Sequence, residues 1–167
     1  MIMIAIDPGQ GGGIAWTIAE GIQVEKMPQT TRDISDLLET LKAKAAEMPE
    51  PVFAWLENVG KYMPGNSGPS AVKFGGHCGE LRGVLTALKI PFDKVLPAKW
   101  EHWLIGKPNY EKIPKEIQGK ARKAILSKRK TERKNKIKEK AQQLNPNLKI
   151  ILATSDAVGM LHYVCNK

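Results

Sequence analysis

Three acidic residues sit against apolar runs in a way that ordinary surface acids do not. Asp7 follows the run MIMIAI, Glu57 follows VFAWL, and Asp156 precedes Ala157-Val158-Gly159-Met160-Leu161. A carboxylate beside such neighbours costs free energy unless it is paired or holds a cation. Singly, each has an ordinary explanation. Asp7 and Glu57 read as solvated strand ends, and Asp156 as an acid favoured by a helix N-terminus. Gathered without a compensating base they would repel one another, and Mg²⁺ or Mn²⁺ would relieve that repulsion. Two such ions about 4 Å apart suit in-line attack of water on a phosphodiester, one activating the water and both stabilising the leaving oxygen.

Other chemistries find less support. His77, His102 and His162 lack the spacing of a ligand set. Cys78 and Cys165 lie far apart, too few for a zinc cluster and unlike a disulfide scaffold. Gly9 to Gly13 suggests a phosphate loop, but no Gly-Lys-Ser/Thr follows. No Ser-His-Asp or Cys-His arrangement can be argued.

The three acids need a scaffold, and the apolar pattern supplies one. Continuous apolar residues at 1–6 predict a buried strand, stopped by Asp7-Pro8-Gly9. Residues 14–18 and 22–27 predict two further strands around a Glu20-Gly21 turn, together an antiparallel meander. Ile34, Leu37, Leu38 and Leu41 recur at helical spacing and predict a helix over 33–46, capped by Thr30 or Thr31. Further elements follow: a strand at 52–56, a helix at 70–89, a strand at 92–96, a helix opening at Pro97, and a closing helix over 155–164 with Thr154 or Ser155 as cap. That order predicts an α/β fold, a mixed five-stranded sheet with helices on its faces. If the first and fourth strands pair in parallel, Asp7 and Glu57 emerge side by side and the last helix brings Asp156 over them.

Charge is unevenly placed. The chain has 167 residues with 26 Lys+Arg against 17 Asp+Glu, a net of +9. Between Lys107 and Lys140 lie 14 of those basic residues and 4 of the acidic ones, leaving a near-neutral remainder of 12 basic and 13 acidic. Such asymmetry points to a polyanion, most often nucleic acid, or to a solvated helix face. The stretch from Ser127 to Lys136 has no apolar residue, so a helix there is expected to project into solvent or lie along phosphates, and disorder is equally open. Helical from Arg122 to Gln143, it would reach about 33 Å, enough to cross a duplex. Arg122, Lys123, Lys128, Arg129, Lys130, Arg133 and Lys134 are the candidate phosphate contacts. Lys61 and Tyr62, in the glycine-rich loop after Glu57, are candidate DNA contacts as well, Tyr62 with Met63 as a wedge at a junction centre. A mobile loop is the alternative. Gly76, Gly79 and Gly83 share one helix face, suited to packing on the sheet or to a dimer interface, and Trp100 and Trp103 read as core or interface anchors. No apolar run is long enough to span a membrane, and no secretory leader is apparent at Met1, so a single cytoplasmic domain over 1–167 with a basic insertion at about 105–145 is expected.

The motifs resemble a known family. Ile4-Ala5-Ile6-Asp7-Pro8-Gly9 resembles the opening strand of RuvC-type Holliday-junction resolvases, which have the ribonuclease-H-like fold. Glu57-Asn58-Val59-Gly60 with Met63-Pro64-Gly65, then Phe74-Gly75, Gly79-Glu80-Leu81-Arg82-Gly83 and Ile90-Pro91-Phe92, resemble the segments that follow. Val95-Leu96-Pro97-Ala98-Lys99-Trp100 and Ser155-Asp156-Ala157-Val158-Gly159-Met160 complete the ordered set. The resemblance implies a Mg²⁺- or Mn²⁺-dependent endonuclease of branched DNA, acting as a homodimer on a four-way junction. It implies Asp7, Glu57 and Asp156 as metal ligands and Lys99 as a basic residue near the scissile phosphate. The family commonly carries a fourth acid three or four residues before the last, where this chain has Ala153 and Leu152. Either three carboxylates suffice, or His162, Glu80 or a substrate oxygen completes the shell. Two other readings stay open: a nuclease of RNA or RNA–DNA hybrids, and a non-catalytic nucleic-acid-binding protein on the same scaffold.

Overall fold

A computed structural model describes residues 1–19, 21–47, 50–59 and 68–167. Lys61, Tyr62 and Met63 lie outside the described residues. The meander forms β1 (Ile2–Asp7), β2 (Gly13–Ile18) and β3 (Gly21–Lys26), followed by α1 (Thr31–Glu47) and β4 (Val52–Glu57). Next come α2 (Gly68–Ala87), β5 (Phe92–Val95), α3 (Pro97–Ile105), α4 (Gly119–Leu144) and α5 (Leu152–Cys165). The sheet runs β3-β2-β1-β4-β5, antiparallel through the meander and parallel from β1 to β5. The predicted mixed five-stranded, ribonuclease-H-like sheet is therefore observed.

Side-chain alternation along the strands divides the interior in two. Ile2, Ile4 and Ile6 of β1 face one side, with Ala54 and Leu56 of β4, against α1 and α2. Ala5 and Val95 face the other, against Trp100, Ile137, Val158 and Leu161 of α3, α4 and α5. Thr30 caps α1: its hydroxyl oxygen accepts the Asp33 N–H at 3.1 Å and its proton goes to Asp33 Oδ2 at 2.7 Å. Ile34, Leu38, Leu41 and Ala45 then form the buried stripe that the spacing predicts.

Three expectations change. The closing helix begins at Leu152 rather than Ser155, with Ile151 as its cap residue. The Thr154 hydroxyl turns back to accept the Ile151 N–H at 3.3 Å, so the helix starts a turn earlier and Asp156 lies beyond its first turn. The small face of α2 does not pack on the sheet: among the described residues a Cβ built at Gly76 or Gly83 would meet nothing within 4 Å, and one at Gly79 would meet the Arg82 guanidinium at 4.0 Å. The basic stretch is a helix of 26 residues that does not stand wholly in solvent, because Ile137 and Ala141 are buried against α5.

Candidate active site

Parallel pairing of β1 with β4 sets Ile6 opposite Leu56. The next residue on each strand is Asp7 and Glu57, so the two acids leave the same sheet edge side by side. Alternation turns both away from the Ile6/Leu56 face, toward the face that α5 crosses. Gly12 makes this possible on the flank, since a Cβ there would overlap the Asp7 carbonyl and crowd its carboxyl carbon. Gly13 does the same for α5, because its missing Cβ leaves room for the Ala153 carbonyl and the Thr154 backbone.

The electrostatics record how close the acids are. Burial raises the Asp7 carboxyl well above the usual carboxylate range, and the charges of Glu57 and then Asp156 push it further. Glu57 rises to about 7, chiefly by burial; the Trp100 N–H opposes the rise and Asp156 adds to it. The pair thus holds a proton that isolated carboxyls would release.

Asp156 is 8% exposed on α5 and reaches the pair through space. Its own contacts lie elsewhere: Ser155 Oγ donates to Oδ1 at 3.2 Å, and Lys134 Nζ stands 3.6 Å from Oδ2. Among the described residues no three His, Cys, Asp or Glu side chains are grouped tightly enough to hold a metal ion as they stand. The donor set still suits Mg²⁺ or Mn²⁺, being three hard carboxylates, two of which are held above their usual range chiefly by burial and further by neighbouring acid charge. Rotation of Asp156 away from Lys134 is the movement that would close the group.

Around the acids, α3 forms a supporting wall. Trp100, fully buried, donates its indole N–H to Glu57 Oε1 at 2.9 Å. Glu101 beside it is ion-paired with Arg133 of α4. Gly159 lets α3 approach α5 this closely, since a Cβ there would lie 2.7 Å from Leu104 Cδ2 and 3.0 Å from the Trp100 ring. The sequence marks Trp100 as an anchor but carries no sign of its bond to Glu57, which joins residues 43 positions apart.

The remaining candidates fall into groups. Lys99 is exposed in the first turn of α3, and among the described residues no ion pair or hydrogen bond ties it to the acids. Arg122, Lys123, Lys128 and Lys130 are exposed along α4. Arg129 is half-buried: its guanidinium stacks 4.8 Å above the Tyr110 ring and donates to the Glu111 carbonyl at 2.8 Å. Arg133 and Lys134 belong to the carboxylate site instead of the solvent face. Neither proposed fourth ligand stands at the cluster. His162 accepts from Asn145 Nδ2 at 2.8 Å, and Glu80 accepts from Thr31 at 3.0 Å.

No family model matches this chain, and no curated protein matches it either. Solved structures do. A Thermus thermophilus RuvC structure aligns with 99% of this chain and 96% of its own, at 12% identity and a TM-score of 0.53. T. thermophilus RuvC in complex with a Holliday junction substrate aligns with 99% and 95%, at 10% identity and a TM-score of 0.54. The chain has the RuvC fold. Among the described residues, no helix of this RuvC-like chain is long and apolar enough to cross a membrane.

Proposed function

We propose that this RuvC-like chain is a divalent-metal-dependent endonuclease of branched DNA, cutting phosphodiesters at four-way junctions. The observation that carries the reading is the approach of Asp7 and Glu57, from two parallel strands, and Asp156, from a helix, to one sheet edge, where burial and the neighbouring carboxylates raise Asp7 and Glu57. When bound, Mg²⁺ or Mn²⁺ supplies Lewis acidity and lowers the pKa of an attacking water. Every other part is the chain's own. Asp7 and Glu57 hold the cation from the sheet, Trp100 fixes the direction of Glu57, and Asp156 closes the group from α5. Lys99 lies one position before Trp100 and faces solvent, from where it reaches a phosphate near the cut.

Exposed Arg122, Lys123, Lys128 and Lys130 line up along α4, about 39 Å long at helical rise. They grip a DNA arm through its phosphates, a mode that positions the protein with little reading of bases. The glycine face of α2, uncovered among the described residues, supplies close contact with a second copy, as paired nicking requires. The Holliday junction bound to the T. thermophilus protein on the same fold supports this substrate class.

One observation favours a second reading. Lys134 beside Asp156, with Ala153 and Leu152 upstream, suits a scaffold that binds junctions without cutting them. Incubation of the chain with a labelled four-way junction, a linear duplex and an RNA–DNA hybrid, each with Mg²⁺ or Mn²⁺, separates the possibilities. The expected result is cleavage of the junction, lost in Asp7→Asn with junction binding kept. Preferred cutting of the hybrid, or cleavage undiminished in Asp7→Asn, refutes the proposal; binding without cutting under both metals selects the second reading.

A further inference from the structure

On the face of the sheet opposite α5, a cavity of about 470 Å³ opens between the β1–β2 loop, the start of α1 and α2. Gly9 and Phe74 form one wall. The φ of Gly9 is +108°, and a Cβ there would lie 3.3 Å from Phe74 Cε2. Ile34 adds a buried apolar surface. His77 and Glu80, three positions apart on α2, line the same space. The Gly9 N–H donates to His77 Nδ1 at 3.0 Å, and burial favours the neutral imidazole, so the ring's one hydrogen sits on Nε2. Among the described residues, that Nε2 is buried without a hydrogen-bond partner. Such a donor costs free energy until something accepts from it. Glu80 accepts from the Thr31 hydroxyl at 3.0 Å, and a carboxylate has lone pairs for further donors.

An unmet donor, a nearby acceptor and two apolar surfaces are what a flat heterocycle needs, and the size is ordinary for a small-ligand site. A phosphate fits worse, because the Glu80 carboxylate would repel it. The place of the cavity says where the heterocycle comes from. Gly9 stands two residues after Asp7, at most about 7 Å along the backbone. Stacked nucleotides of one strand are spaced about 3.4 Å apart. A strand with a phosphate at Asp7 therefore brings a base one or two nucleotides away to the cavity. We propose that this cavity captures one unstacked base of the DNA strand beside the cut, and takes adenine or cytosine in preference to thymine. His77 Nε2–H donates to a ring nitrogen, and Glu80 accepts from the exocyclic amino group that thymine lacks. Phe74 and Ile34 meet the faces of the ring, and exposed Lys73, one turn before His77, meets the backbone phosphate. Satisfying the buried donor and stacking on Phe74 offset the cost of taking the base out of its duplex. Resting on the nuclease reading, this subsite deepens it by adding the reading of one base to a grip made through phosphates.

The probe is 2-aminopurine, which brightens on unstacking and carries an amino group flanked by ring nitrogens. It is placed in turn at each nucleotide around the centre of a four-way junction, and the full-length chain is titrated in chelated buffer so that no cleavage intervenes. The expected result is a severalfold rise at one position that saturates with junction binding. His77→Asn keeps an oxygen to accept the Gly9 N–H and withdraws the donor from the cavity. It should lose most of the rise while junction affinity stays within about threefold, since one hydrogen bond among many phosphate contacts is removed. Glu80→Gln, at an exposed position, adds a donor where the carboxylate only accepts. In Mg²⁺-dependent cleavage it should reduce the preference for adenine over thymine at that position about tenfold. No brightening at any position, equal brightening in His77→Asn, or an unaltered preference in Glu80→Gln overturns the inference and leaves the nuclease reading standing. Brightening that needs His77, in a chain that cuts no junction with either metal, refutes the nuclease reading and keeps the base subsite. Saturable binding of free 2-aminopurine deoxyriboside without DNA, at the same chain concentrations, makes the cavity a small-molecule site and overturns its assignment to the strand.

Discussion

The raised carboxyls at the sheet edge make stability depend on pH in an unusual direction. Glu57 titrates at about 7 in the folded chain against 4.5 for a free carboxyl, mainly because it is buried. A group whose folded pKa is raised favours folding while it stays protonated, and its contribution is lost as pH rises from about 4.5 through 7. The difference corresponds to at most roughly 3 kcal/mol by pH 8. Glu57→Gln removes the ionisation and keeps an oxygen to accept the Trp100 N–H. The variant should match wild type near pH 4.5 and exceed it progressively above that. For a chain of this length roughly 3 kcal/mol corresponds to a gap of about 6–12 °C in Tm by pH 8. Thermal unfolding followed by circular dichroism, in chelated buffer from pH 4.5 to 8, reads the gap directly. Added Mg²⁺ should narrow it by stabilising wild type alone, because a ligand that binds only the folded state raises its stability. A gap that is constant across the range, or a Gln variant less stable at pH 8, would show that Glu57 is not held protonated by its surroundings.

Three further outcomes follow from the same geometry. Trp100→Phe deletes the donor to Glu57 and should raise the Glu57 pKa above about 7, seen as a shift of its carboxyl resonance titration to higher pH. Gly159→Ala forces Leu104 and the Trp100 ring aside; it should destabilise the fold by about 1–3 kcal/mol in urea titrations and slow junction cleavage, since Trp100 moves with it. Replacing Lys128 and Lys130 with Ala should weaken binding of all DNA substrates alike and flatten the slope of log K against log salt by about 0.9 for each phosphate contact removed. An unchanged slope would take α4 out of the DNA path.

What the sequence discloses and what it conceals divide along a physical line. Apolar runs of five or six residues closed by an acid are local patterns, so β1 and β4 and their terminal carboxylates can be read directly, and only their parallel pairing has to be found in three dimensions. The start of α5 misleads because Thr154 is an equally good cap residue and third-position residue; here its hydroxyl serves the third position. The glycines of α2 look like packing positions, yet among the described residues nothing packs on Gly76 or Gly83, because spacing shows that a surface is smooth and not what meets it.

The helix α4 is the most instructive case. From Ser127 to Lys136 it carries no apolar residue, and a window over that stretch predicts a helix with nothing to bury. The buried stripe begins just beyond, at Ile137, and its geometric continuation toward the N-terminus passes through Lys134. A charged residue on a buried stripe is a conflict unless something opposite neutralises it, and Asp156 does so from α5. Packing therefore selects which lysine among many enters the site. Arg122, Lys123, Lys128 and Lys130 stay outside because the stripe does not include them. The same few apolar side chains that seat the helix thus determine both the charge inside the carboxylate pocket and the charge left on the exposed face. Moving Ile137 by one position would rotate a different residue into the pocket without changing the composition of the chain, which is why composition alone gives the helix's positive charge but not its part in the site.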